Sequence, residues 1–120
     1  MNILIVEDDA GVREGIAEIL SAHASVRVAG TLAEADAALR QEHFDVVLTD
    51  LRIGHSARGG LIVLGAARKL GAKVVVIGAS TREEIDLAVG QTQPDAVLTK
   101  PFLIEEVEAL IAGLRVRNAG

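Results

Sequence analysis

Four residues at the ends of three short apolar runs could do chemistry together. Glu7 and Asp8 follow Ile3-Leu4-Ile5-Val6, Asp50 follows Val46-Val47-Leu48-Thr49, and Lys100 follows Ala96-Val97-Leu98-Thr99. Carboxylates gathered within a few ångströms repel one another and raise their own pKa values, so three or four acids at one place, Asp9 included, are costly unless a cation sits among them. Oxygen ligands with water positions left over suit Mg2+, which favours one or two carboxylates plus a phosphate oxygen. The Lys100 ammonium would bring a second positive charge from the far side. A divalent ion, an ammonium and an unencumbered carboxylate place positive charge around a transferring phosphoryl group, and Asp50 could be its acceptor. Taken singly these residues are ordinary, because acids favour the first turn of a helix and Asp is a common turn residue.

A parallel sheet would bring them together. Each run is too short for a buried helix, has no helical period and is rich in β-formers, which is the signature of a strand buried on both faces. In an open α/β sheet ligands collect outside the carboxyl ends of the strands, where these charged residues fall. Between the runs, Val12, Ile16, Ile19 and Leu20 predict an amphipathic helix from about Ala10 to Ala22, and Ser25 to Gly30 a short alternating strand. Thr31 followed by Glu34 is a capping-box pattern for a second helix that ends before Phe44. Ile53 to Gly60, with Gly54, His55, Ser56, Gly59 and Gly60, has loop composition. A third helix runs from about Leu61 to Leu70, closed by Gly71 in a left-handed conformation, and Lys73 to Ile77 is a strand. Ser80 with Glu83, or Thr81 with Glu84, could cap a fourth helix carrying Ile85, Leu87, Ala88 and Val89. Leu103, Val107, Leu110, Ile111 and Leu114 mark a fifth. Strand then helix, five times over, implies right-handed crossovers and a doubly wound parallel sheet with helices on both faces.

With 120 residues, half of them hydrophobic, the chain is expected to form one domain with a real core. A net charge of −5, two Phe and no Tyr or Trp argue against a nucleic-acid surface, which needs basic patches and stacking aromatics. Absence of cysteine removes disulfide and thiolate chemistry. No apolar run approaches a membrane span, and Met1 leads straight into a strand rather than a signal segment, so a cytoplasmic location is expected. The three histidines, His23, His43 and His55, show no metal spacing.

Together, the blocks Ile3-Leu4-Ile5-Val6-Glu7-Asp8-Asp9, Asp45-Val46-Val47-Leu48-Thr49-Asp50 and Thr99-Lys100-Pro101-Phe102 resemble the three signature blocks of the response-regulator receiver domain of two-component signalling. The spacings from Asp8 to Asp50 and from Asp50 to Lys100 match the family, and the resemblance covers essentially the whole chain. It implies a flavodoxin-like sheet of five parallel strands in the order 2-1-3-4-5 with five helices. It implies phosphorylation of Asp50 from a phosphohistidine of a sensor histidine kinase or histidine phosphotransfer protein. It further implies Mg2+ held by Asp8 directly, by Glu7 through a water, by Asp50 and by the backbone carbonyl of Arg52, with Lys100 on the phosphoryl group and a cis bond before Pro101.

The chain departs from that pattern in two places. The loop after Asp50 is longer than usual by a residue or two. Gly78 stands where the family usually presents a Thr or Ser hydroxyl, and Val97 where it usually has the partner aromatic of its switch. The amide of Ala79 could receive a phosphoryl oxygen, and Ser80 or Thr81 could substitute as donor, although both also suit a plain N-cap. Alternatives are therefore a pseudo-receiver that works without regulated phosphorylation, or the receiver part of a larger transcriptional regulator. An aspartyl-phosphatase-type enzyme would carry a second Asp two residues after the nucleophile, where this chain has Arg52. A flavin or nucleotide binder would not place Glu7-Asp8-Asp9 in its first loop. No attached output domain is evident before the chain stops at Gly120, so the expected output is contact with another protein, and a homodimer is left open.

Overall fold

Five strands form where aliphatic residues run without a helical period: β1 (Asn2–Val6), β2 (Ser25–Ala29), β3 (Val46–Asp50), β4 (Lys73–Ile77) and β5 (Ala96–Leu98). They make one parallel sheet in the order β2-β1-β3-β4-β5, the order the resemblance implies. The computed structural model describes residues 1–53, 59–78, 93–100 and 102–119, with Glu83, Asp86 and Gly90, and side chains as far as Leu114. Within these residues the helices are α1 (Ala10–Ser21), α2 (Leu32–Gln41), α3 (Gly59–Lys69) and α4 (Ile104–Ala119). Glu83, Asp86 and Gly90 have helical backbone, while the other residues of the helix expected there, Ser80, Thr81, Ile85, Leu87, Ala88 and Val89, lie outside the described residues. His55 and Ser56 in the loop after Asp50 lie outside them too.

The sheet separates two apolar layers. On one side, Ile16 and Leu20 of α1 and Val107, Ile111 and Leu114 of α4 bury against Ile3, Ile5, Leu48, Val75 and Ile77. On the other, Ala35 and Ala38 of α2 and Val63, Leu64 and Ala67 of α3 cover Leu4, Val6, Val47, Val74 and Val76. Each fully buried Val, Leu or Ile contributes about 1.5–3 kcal/mol by leaving water. Leu103, expected in the last helix, precedes it and is exposed.

Strand geometry carries the functional consequence. Side chains alternate between faces, so Ile3 and Ile5, Val46 and Leu48, and Ala96 and Leu98 all point to the α1/α4 side. The next residue of that parity on each strand is Glu7, Asp50 or Lys100. Ile77 pairs with both Asp50 and Leu98, which puts Lys100 two positions farther along than Asp50, within reach of a long side chain turned back. At the opposite edge, Asp45 Oδ2 accepts from the Asn2 N–H at 2.7 Å and Asp95 Oδ2 from the Val74 N–H at 2.8 Å, pegging neighbouring strands in register.

Two local signals read from the sequence are realised. The Glu34 N–H donates to Thr31 Oγ1 at 3.1 Å, and Glu34 Oε1 accepts from the N–H of Gly30, the residue just before the cap, at 2.8 Å. Thr31→Ala should cost about 1 kcal/mol. Urea unfolding checks this, and a midpoint indistinguishable from that of the parent would show that the cap contributes nothing. Gly71 closes α3 with φ +85°, and the Ala72 N–H reaches back to the Ala67 carbonyl at 3.1 Å. One expectation is corrected: Gly59 and Gly60 open α3 rather than ending the preceding loop. Their small size is what lets the helix start there, because a Cβ on Gly60 would lie 1.9 Å from the Asp50 carbonyl oxygen and 2.6 Å from Leu51 Cα.

Candidate functional site

The period-two rows end in a cluster. Lys100 Nζ donates to Glu7 Oε1 at 2.9 Å and to Asp50 Oδ2 at 3.3 Å. The Arg52 N–H, turning back after the strand, donates to Asp50 Oδ1 at 3.3 Å. Glu7 is fully buried, whereas the side chains of Asp50 and Lys100 keep 14% and 32% of their surface, so the cluster opens to solvent over Asp50 rather than over Glu7. Glu7, Asp8 and Asp50 each offer a carboxylate oxygen within 4.8 Å of the others. The fourth acid expected at the site, Asp9, is used elsewhere: its Oδ1 accepts from the Val12 N–H at 2.9 Å and caps α1.

Burial first, and then the Asp50 carboxylate next to it, push the Glu7 carboxyl up from 4.5 to about 7. Burial pulls the Lys100 ammonium the other way, but the carboxylates of Glu7 and Asp50 outweigh it and its pKa is raised. Lys100 thus stays charged through the physiological range and neutralises part of the cluster. Glu7 Oε2 is buried with no hydrogen-bond partner among the described residues. A lone buried carboxylate oxygen is expensive, and a set of three oxygen donors without nitrogen or sulfur is what a hard divalent cation prefers. The residues present therefore fit such an ion.

Three residues that sequence reasoning passed over complete the site. Arg13 of α1 donates from Nη1 to the Glu7 carbonyl at 3.1 Å, tying the helix to the strand end. Gly30 makes room for it, since a Cβ there would lie 2.6 Å from Arg13 Nη1. Gly60 brings its N–H to the Leu51 carbonyl at 2.9 Å and presses the first turn of α3 onto the peptide after Asp50. No spacing rule points to these contacts, because their partners are main-chain carbonyls or the space left by a missing Cβ, neither of which has a sequence signal.

A family model described as the response regulator receiver domain matches residues 3–112. The chain belongs to the response-regulator receiver family. The receiver is 35% identical over 123 residues to the transcriptional regulatory protein PmrA of Pectobacterium parmentieri, a match covering 100% of the chain and 54% of that protein. It is 31% identical over 121 residues to the transcriptional regulatory protein PhoP of Escherichia coli K12, again with 100% and 54% covered. The chain spans about half the length of these curated relatives. Among solved structures, a CheY-like receiver domain protein from Methanospirillum hungatei has a TM-score of 0.82 at 26% identity, covering 98% of this chain and 96% of that one. A two-component response regulator from Clostridium difficile has a TM-score of 0.87 at 18% identity, covering 100% and 99%, which is a likeness of fold.

Of the two positions where the family pattern leads one to expect a switch, Gly78 lies against Lys100 and Asp50, while Val97 is partly buried and packs in the layer on the α2/α3 side of the sheet. Ala79, Ser80, Thr81 and Pro101, with its expected cis bond, lie outside the described residues. His23 Nε2 meets Glu108 Oε2 of α4 at 3.1 Å, and His43 lies 4.0 Å from Asp45, both away from the acidic cluster. No helix among the described residues is long and apolar enough to cross a membrane.

Proposed function

We propose that this receiver accepts a phosphoryl group on Asp50 from the phosphohistidine of a sensor histidine kinase or histidine phosphotransfer protein, with Mg2+ as the metal, and that the modified protein changes its affinity for a partner protein. The observation that carries the reading is the placement of Asp50: a strand-end carboxylate open to solvent, 3.3 Å from a buttressed ammonium and beside two further acids. In the transfer an Asp50 carboxylate oxygen forms the new bond to phosphorus, the P–N bond breaks, and its electron pair stays on the imidazole. Lys100 and the Arg52 N–H fix the carboxylate before attack, and Lys100 then has phosphoryl oxygens within its reach. Glu7, Asp8, Asp50 and the Arg52 carbonyl would hold Mg2+, which supplies charge stabilisation to the equatorial oxygens when bound.

We assign the chain to the cytoplasm as one receiver domain. Its output is a protein contact serving transcription control, since both curated relatives are named as transcriptional regulators. A second reading, a pseudo-receiver with a constitutive surface, is favoured by Gly78 and Val97, which provide neither hydroxyl nor aromatic ring. The discriminating experiment is intact-protein mass after acetyl phosphate with and without Mg2+. Addition only with Mg2+ supports the phosphoacceptor. No addition to folded protein supports the second reading.

The metal has a thermodynamic signature as well. Because the folded pKa of Glu7 lies above the unfolded one, the metal-free fold holds a proton that the unfolded chain releases. Its contribution is therefore complete below pH about 4.5 and is lost as pH rises through about 7, a change of roughly 3 kcal/mol. Mg2+ competes with that proton, so stability in millimolar Mg2+ should hardly fall over the same range. Thermal melts at pH 5 and pH 8 with and without Mg2+ check this, and parallel pH dependences in the two series would rule it out.

A further inference from the structure

We infer that Gly78 is a positioning residue that seats Lys100, so that β4 shapes the acceptor site by leaving a side chain out. A Cβ on Gly78 would lie 2.8 Å from Lys100 Cε, 3.0 Å from its Nζ and 3.3 Å from Asp50 Cγ. The backbone has no easy retreat, because the Gly78 N–H donates to the Leu98 carbonyl at 3.0 Å and φ is +78°. Of the three neighbours, the movable one is the end of the lysine. With the backbone held in this left-handed conformation, a side chain at this position therefore lifts the ammonium off Glu7 and Asp50 rather than breaking the sheet.

The backbone twist alone does not explain this. Gly71 has a comparable φ of +85° and nothing within 4 Å of where its Cβ would be. Left-handed backbone is common to the two glycines, whereas contact with a site residue is particular to Gly78. The inference follows that a hydroxyl introduced at 78 competes with the Lys100 amine for the same space. It would lower phosphoryl acceptance instead of restoring a missing contact. Only this last consequence rests on the reading of Asp50 as acceptor.

A double-mutant cycle on the full chain tests the seating. Gly78→Ala, Lys100→Ala and the pair are compared by thermal denaturation, with Gly71→Ala as the control for backbone strain alone. Gly78→Asn is a second variant that tolerates the left-handed backbone while still filling the space. Alongside, acylation of Lys100 by an amine-reactive ester is followed by peptide mass spectrometry, with Lys69 and Lys73 as internal references. The expected result is a larger fall in Tm for Gly78→Ala than for Gly71→Ala, reduced to the Gly71 value once Lys100 is Ala. Lys100 should be labelled several-fold faster in both Gly78 variants, with Lys69 and Lys73 unchanged. Where the parent accepts phosphoryl from acetyl phosphate, Gly78→Ala and Gly78→Thr should slow addition on the order of tenfold to a hundredfold, the scale of a misplaced charge in such a site. Additive effects at 78 and 100 with unchanged labelling would overturn the inference, as would faster addition in Gly78→Thr. Coupling and labelling as expected in a parent that takes no phosphoryl group would uphold the seating and remove the acceptor reading.

Discussion

Asp50→Asn should take phosphoryl addition away and leave the fold standing. The amide has the shape of the carboxylate but neither its charge nor its nucleophilicity, so the new bond to phosphorus has no donor. Addition from acetyl phosphate should fall by on the order of a thousandfold or more, to the background of the instrument. The melting temperature should move by only a few degrees. Lys100 keeps its 2.9 Å contact with Glu7, and loss of a like charge next to Glu7 offsets loss of the ion pair at 3.3 Å. Intact mass and a thermal melt on the same sample decide the matter. A phosphoryl adduct that persists in the variant would move the acceptor to another residue.

Gly60→Ala should be the most damaging single-methyl change in the described part of the protein. Its Cβ would meet the Asp50 carbonyl oxygen at 1.9 Å, the Asp50 carbonyl carbon at 2.8 Å and Leu51 Cα at 2.6 Å, all of them backbone atoms that no rotamer change can remove. Relief requires the start of α3 to back away from β3 and to give up the Gly60 N–H bond to the Leu51 carbonyl. We expect a loss upward of about 4 kcal/mol and a Tm lower by more than about 10 °C. Five residues on in the same helix, Gly65 has nothing within 4 Å of its would-be Cβ, and Gly65→Ala should stabilise by roughly 0.5–1 kcal/mol. Opposite signs in two alanine substitutions of one helix are a demanding outcome for denaturant titration, and similar small effects at both positions would contradict the close approach at Gly60.

The strand-end site was legible because it depends on local properties. Run length, β-forming residue types and the terminal charge are all carried by the few residues of each strand, and in the folded sheet the alternation of side chains brings Glu7, Asp50 and Lys100 to one face. Thr31 with Glu34 and the left-handed Gly71 were legible for the same reason, since each satisfies backbone groups a few residues away. Gly59 and Gly60 were misread because two glycines lower helix propensity, and the compensating contact lies on another element. Arg13 could not be singled out, because its acceptor is a main-chain carbonyl and a carbonyl has no sequence signal. Gly78 was legible only as a missing hydroxyl. That its Cβ position is taken up by Lys100 is a three-dimensional fact about β4 and β5. Asp9, counted among the site acids, went to capping α1, where a strand-end acid and a helix N-cap compete for the same residue type.

The convergence of three distant strands also orders the way the chain can settle. Glu7, Asp8 and Asp50 belong to the first half of the sequence and can meet once β1 pairs with β3, but the amine that neutralises part of their charge arrives with the last strand. Until β5 docks on β4, the nascent sheet carries a knot of uncompensated negative charge at its rim, and that edge is free to fray. Docking of β5 on β4 is then both a long-range closure of the chain and the electrostatic clip, so the Asp50 carboxylate has its ordered surroundings only when the sheet is complete. A chain with β5 undocked would present Asp50 without the ammonium that lies 3.3 Å from it in the complete sheet.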